Sequence, residues 1–318
     1  MSFQGYSAVT VPSSETKTFV AACAQIHVES GDVSANLNRA TAAVRSAADQ
    51  GAELIVLPEM WTTSFVVEPS QSLAQAALEA EEAMTSLSGE LGVMVIGGGL
   101  EHEDGQYFNR CSLADRGKVL STYRKIHLFS PNAEPQQMTP GSAAAIVDSR
   151  LGRIGLAICY DIRFPELIRY YFHMGVQVLA VPSQWPEARS DHWRTLTRAR
   201  AVENQMFVIG CNRVGTEESM RNGETLVFPG DSRIVDPMGG VIGMGQGESE
   251  PVMAEIELRR CRAMQRILPI HKDRQTKVYR DLWEPIWNNP EQPLVPDVPT
   301  IETSASSPDS DKTDSDPT

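Results

Sequence analysis

The residue whose position most invites chemistry is Cys159. Ile154-Gly155-Leu156-Ala157-Ile158 reads as a buried strand and Pro165 opens a helix a few residues later, so the thiol falls on a strand-to-helix turn. Such a turn holds a side chain out at the carboxyl end of a strand, near helix amides whose partial positive charge favours a nucleophilic thiolate. Arg163 adds to that field. The same positional logic picks out Glu59, directly after Glu53-Leu54-Ile55-Val56-Leu57 and Pro58, and Lys125, at the end of a strand-like run. Taken one at a time, each also fits an ordinary role: a core thiol, a turn carboxylate, a solvated charge. The histidines offer a competing Cys–His scheme through His127, His173 or His192. Of these, His127 lies two residues from Lys125 on the same strand face and could join a site only with it, while His173 falls inside a helical run and reads as packing or surface.

The elements that must position these residues follow from the spacing of apolar positions. Residues 19–26 read as a buried strand, 35–50 as an amphipathic helix, 53–57 as a strand and 71–91 as a helix ended by Gly92. From residue 93 a series of strands with short turns follows, including a turn at Arg116-Gly117, and this stretch should pair antiparallel. After a loop at 130–141 come strands at 143–149 and 153–161, the Pro165 helix, a strand at 176–181, a helix at 192–205 and a strand at 206–211. The last strands fit 232–237 and 252–258. The order predicts an α/β protein in which a mixed sheet has helices on one face and a strand-rich layer on the other, so that two sheets pack together.

Composition narrows the function classes. Lys and Arg number 28 against 41 Asp and Glu, a net charge of −13, which disfavours a nucleic-acid partner. Seven of the acids and one Lys fall in residues 290–318, so the body is only mildly acidic. No run approaches the roughly 18 apolar residues of a membrane helix, and the first twenty residues lack a basic start followed by an apolar stretch. A soluble cytoplasmic protein is expected. Five cysteines, odd in number and without a C-x-x-C pair, speak against a disulfide framework or zinc site. Residues 1–16 and the Pro/Ser/Asp-rich tail 290–318 are expected to be disordered, leaving one domain at 17–289. The basic run 259–266 reads as a helix with a solvated face, and Gly97-Gly98-Gly99 lacks the Lys and helix of a phosphate loop.

The contexts of the three candidates, taken together, resemble the nitrilase superfamily of carbon–nitrogen hydrolases. They are Leu57-Pro58-Glu59-Met60, Tyr123-Arg124-Lys125-Ile126-His127-Leu128-Phe129 and Cys159-Tyr160-Asp161-Ile162-Arg163-Phe164-Pro165-Glu166, with further matches at residues 200–204 and 230–237. The resemblance spans about residues 19–279 and implies a four-layer αββα sandwich, commonly dimerised, with a Glu–Lys–Cys triad and no metal or organic cofactor. It also implies a second glutamate in the loop after the Lys, a place taken here by Glu134, although Pro135 after it departs from the common pattern. In this scheme Cys159 attacks as thiolate, Lys125 and the Tyr160 backbone N–H hold the oxyanion, and Glu59 shuttles the proton.

Within the superfamily the same motifs, with Pro58-Glu59-Met60-Trp61 and Gly210-Cys211-Asn212-Arg213, resemble the ω-amidase group, which hydrolyses the terminal amide of monoamides such as 2-oxoglutaramate and succinamate. Substrates of that kind carry a carboxylate and call for a pocket cation, for which Arg163, Arg189 and Arg213 are the candidates, with Trp185 as a pocket wall. The alternatives are a nitrilase, a deaminated-glutathione amidase or an N-carbamoyl hydrolase of the same superfamily. From other classes, a catalytically idle scaffold and a thiol redox sensor on Cys159 remain.

Overall fold

The computed structural model of the chain describes residues 17–247 and 250–288. The segments 1–16 and 290–318, expected to be disordered, lie outside the described residues. Strands β1 (Thr18–Cys23), β2 (Leu54–Val56), β3 (Met94–Gly97), β4 (Leu100–Glu103), β5 (Gln106–Asp115) and β6 (Lys118–Arg124) build a first sheet. A second contains β7 (Ala145–Ser149), β8 (Gly152–Leu156), β9 (Val178–Ser183), β10 (Phe207–Asn212), β11 (Val214–Glu218), β12 (Thr225–Val235) and β13 (Val241–Gln246). β14 (Val252–Glu257) returns to pair antiparallel with β1. The first sheet runs β14-β1-β2-β3-β5-β4 with β6 also on β5, and the second β11-β12-β10-β9-β8-β7 with β13 also on β12. β1, β2 and β3 are mutually parallel, as are β8, β9 and β10.

Alternation along the strands sorts the layers. Ala21, Cys23, Leu54, Val56, Met94 and Ile96 share one apolar cluster with Ile154, Val178 and Ile209 of the second sheet. The intervening Ala22, Ile55 and Val95 turn the other way and meet Ala40, Val44, Met84 and Leu87. Those partners belong to helices α1 (Val33–Asp49) and α2 (Gln71–Leu91). Helices α3 (Pro165–His173) and α4 (Ser190–Asn204) cover the second sheet through Ile168, Tyr171, Phe172, Trp193 and Ala201. The result is the αββα sandwich.

Local signals explain where elements start and stop. Asp32 and Ser70 cap α1 and α2 by accepting from Ala35 N and Leu73 N, and Gly92 ends α2 at φ +68°. Arg116 and Gly117 both adopt positive φ in the tight turn joining β5 to β6. β6 stops at Arg124 and β8 at Leu156, so Lys125 and Cys159 sit just past strand ends, not on strands. β11, β13 and the first half of β12 are absent from the sequence reading, because Gly215, Gly243 and Gly245 and, in β12, Pro229 and Gly230 interrupt any clean alternation. Helix α5 (Arg259–Ile267) bears out the helix read at 259–266.

Within the chain, one packed unit ends at His271 and a second begins at Lys272. The described part of the second unit holds helix Thr276–Trp287. No helix among the described residues is long and apolar enough to cross a membrane.

Candidate active site

The strand directions bring the chemistry to one end of the sandwich. Glu59 lies beyond the carboxyl end of β2, Cys159 beyond β8, Gln184 beyond β9 and Lys125 beyond β6. Cys159 adopts φ +45°, a left-handed conformation costly for a side chain other than glycine, and opens the short 3-10 turn Cys159–Arg163. The first backbone bond of that turn runs from Asp161 N–H to Ile158 C=O at 2.9 Å, leaving the Tyr160 N–H ahead of it, as at any helix start.

Asp161 holds the turn in register with the Lys125 segment. Its Oδ2 accepts from Ile158 N at 2.9 Å and Tyr123 Oη at 2.8 Å, and its Oδ1 accepts from His127 N at 3.0 Å and lies 2.7 Å from His127 Nδ1. Tyr123 and His127 flank Lys125, so one buried carboxylate fixes both sides of it. His127 stacks on Phe164 with ring centroids 3.6 Å apart. It is therefore committed to Asp161, and the expectation that it shares a strand face with Lys125 fails because the strand has already ended.

Glu59, Lys125 and Glu134 are each at most 2% exposed. Lys125 Nζ donates to Glu59 Oε1 at 2.7 Å and to Glu134 Oε2 at 2.8 Å. Glu134 Oε2 also accepts from Phe129 N at 2.6 Å. The Asn109 amide donates to Glu59 Oε1 at 2.8 Å and to Glu134 Oε1 at 2.9 Å. The second oxygen of Glu59 accepts from Gln184 N at 2.9 Å, and the Cys159 thiol donates to Gln184 O at 3.8 Å. Pro135 does not disturb the loop: it occupies the first turn of the 3-10 segment Glu134–Gln136, where no N–H is needed.

Burial sets the protonation states. It raises the Glu59 carboxyl above the ordinary range against the pull of Lys125, with Glu134 pushing the same way as burial. Burial would discharge Lys125, but Glu134 and Glu59 outweigh it and hold the ammonium charged. Burial, then Glu59, push the Cys159 thiol well above its usual pKa.

These groups line a cavity of about 500 Å³, walled by Phe65, Phe129 and Phe228 and carrying Arg189 and Arg221. The expected substrate-binding residues separate here. Arg189 is in the wall, with its guanidinium 5.5 Å from the Phe129 ring centroid. Arg163 lies outside the lining, over the Trp185 ring at 4.8 Å and 3.1 Å from His192 Nδ1. Arg213 is wholly buried and outside the lining, donating to Glu217, Ser64, Gln184 Oε1 and Val28 O. Trp185 is buried away from the cavity too: its Nε1–H donates to Arg189 O at 2.8 Å and its ring packs on Trp193. The phenylalanines take the wall role assigned to it. Asn109, Gln184 and Arg221 were missed. Asn109 reads as one more position of a strand, and Arg221 belongs to a hairpin without a periodic signal.

A buried thiol, carboxylate and ammonium gathered at the strand ends of an αββα sandwich is the build of a nitrilase-type hydrolase. The carbon-nitrogen hydrolase family model matches residues 20–266, and the chain belongs to that family. The 2-oxoglutaramate amidase of Bacillus subtilis (strain 168) is 32% identical over 260 residues, covering 81% of this chain and 98% of that protein. The omega-amidase NIT2-A of Xenopus laevis is 32% identical over 258 residues, covering 77% and 91%. In fold, the chain is similar to the solved carbon-nitrogen hydrolase from Helicobacter pylori G27, with TM-score 0.77 at 24% identity, covering 84% of this chain and 99% of that one. The protein is thus an enzyme of the nitrilase superfamily, of the ω-amidase group.

Proposed function

We propose that the protein hydrolyses the terminal amide of a small carboxylate-bearing compound such as 2-oxoglutaramate or succinamate through a Cys159 thioester. The observation that carries this reading is the convergence of Glu59, Lys125, Glu134 and Cys159 on one cavity whose wall bears Arg189. An amide is a poor electrophile with a poor leaving group, so it needs a soft nucleophile, a proton shuttle and an oxyanion site together. As the sulfur attacks the carbonyl carbon, its proton passes to Glu59, which answers the protonated resting thiol. The oxyanion is held by Tyr160 N–H and by the third hydrogen of the Lys125 ammonium, the other two being committed to Glu59 and Glu134. Glu59 returns the proton to the departing nitrogen, ammonia leaves, and Glu59 then activates the water that cleaves the thioester and restores the thiol. Glu134, with both oxygens occupied by donors, acts as a support for Lys125.

The names of the relatives, the family motifs and the cavity cation support the ω-amidase substrate. Ammonia release from succinamate, with Cys159→Ala as blank and a simple nitrile in parallel, tests it. Release from the amide alone is expected. Release only from the nitrile, or only from N-carbamoyl compounds, would overturn the substrate class.

A further inference from the structure

The two oxygens of Glu59 are not equivalent. Oε1 accepts two side-chain donors, Lys125 Nζ and the Asn109 amide, while Oε2 accepts a single backbone N–H, from Gln184. The carbonyl of that same Gln184 accepts from the Cys159 thiol, so the backbone of one residue contacts both Oε2 and the sulfur. Asn109 stands behind the carboxylate, 1% exposed and absent from the cavity lining, and gives its other amide hydrogen to Glu134 Oε1. Its Oδ1 is buried without a partner. That costs stability, yet the opposite amide orientation would turn Oδ1 toward two carboxylates, so the orientation is set by Glu59 and Glu134. β5, which carries Asn109, can come this close because residue 98 is glycine: a Cβ there would sit 2.0 Å from Arg110 O.

We propose that Asn109 is a positioning residue which, by giving one amide hydrogen to each of Glu59 and Glu134, closes Oε1 of Glu59 to the thiol proton and leaves Oε2 as the oxygen that takes it. The S–H bond of Cys159 breaks, the proton forms an O–H bond at Oε2, and the electron pair freed on sulfur makes the new bond to carbon. The inference rests on the reading of Glu59 as general base. The groups facing Glu59 are Lys125 after β6, Glu134 from its 3-10 segment, Cys159 after β8, Gln184 N–H after β9 and Asn109 from β5; the titratable ones among them are Lys125, Glu134 and Cys159. Removing a donor to the ionised carboxylate raises its pKa. A base must be ionised to act, so the acidic limb of the rate profile moves to higher pH.

The experiment follows alkylation of Cys159 by iodoacetamide against pH, and turnover of succinamate, in wild type, Asn109→Leu, Asn109→Asp and Glu59→Gln. The aspartate keeps the shape of the asparagine and gives a second variant should the leucine not fold; melting curves check both. The acidic limb is expected to rise by roughly one pH unit in the Asn109 variants. kcat is expected to fall on the order of 10²-fold with KM little changed, as for a misplaced catalytic group. A folded Asn109 variant whose limb stays at the wild-type pH overturns the proposal, since a merely structural residue would lower the amplitude without moving it. Glu59→Gln is expected to lose the limb altogether; a limb retained there sinks the general-base reading itself, and is distinct from failure at Asn109.

Discussion

Lys125 has three ammonium hydrogens and two buried carboxylates to share them with, and this count governs what single substitutions will do. Glu59→Gln keeps the shape but abolishes the base, so turnover should drop on the order of 10² to 10⁴-fold while the melting temperature holds. Because burial raises Glu59, the acidic limb of kcat/KM should lie above the ordinary glutamate range, with activity rising as pH climbs through it; a limb at or below that range would contradict the role. The arginines divide by the same reasoning. Arg189→Ala should raise KM for succinamate about 10- to 100-fold, as loss of a charged hydrogen bond does. Arg213→Ala should cost about 3–5 kcal/mol of stability, read as a lowered denaturant midpoint, because it strands Glu217 in a largely buried site. At this scale the sequence pointed to Glu59, Lys125 and Cys159 through the motifs their neighbours form, and to Glu134 only by its place in the loop after the Lys. It was not legible for Asn109, whose partners are 25 and 50 residues away and meet it only once β5 lies beside the loops that carry them.

Elements were legible where one face is buried and one is not. The helix at 71–91, the start of α3 at Pro165 and the positive-φ turn at Arg116-Gly117 all stand as read, because caps, proline and glycine act locally. Strand ends were less so: the apolar character of Ile126 and Ile158 continues past the last ladder bonds, and the chain leaves the sheets just where it must deliver Lys125 and Cys159. Gly97-Gly98-Gly99, excluded as a phosphate loop, has a packing role instead. At Gly99 a Cβ would fall 1.8 Å from Thr62 Oγ1, and at Gly98 it would strike the backbone of β5. Gly98→Ala should therefore destabilise by about 1–3 kcal/mol through overpacking and lower kcat by shifting β5. Thermal melts and succinamate kinetics on one variant check both effects, and wild-type values for both would remove the close approach as a constraint.

Across the packed unit that ends at His271, the four layers leave charged groups few places to lie, and these buried ones are paired: Lys125 with Glu59 and Glu134, Arg213 with Glu217, Arg110 with Glu81. The family resemblance makes a homodimer the assembly to look for. Tyr170 and Val202 on the outer helices and Met238 are 45–65% exposed, and a mass from light scattering near that of one chain would argue against it. The interior also bears on the cysteines. All five are unpaired, but Cys23, Cys111, Cys211 and Cys261 are sealed between layers and only Cys159 borders the cavity. Folded protein should then take up one equivalent of alkylating reagent and denatured protein five. Such an enzyme ages in a particular way: an oxidant in storage reaches the nucleophile first, so a preparation goes silent while it still scatters, melts and elutes like fresh material, and reducing agent restores it as long as the sulfur has gone no further than a reversible state.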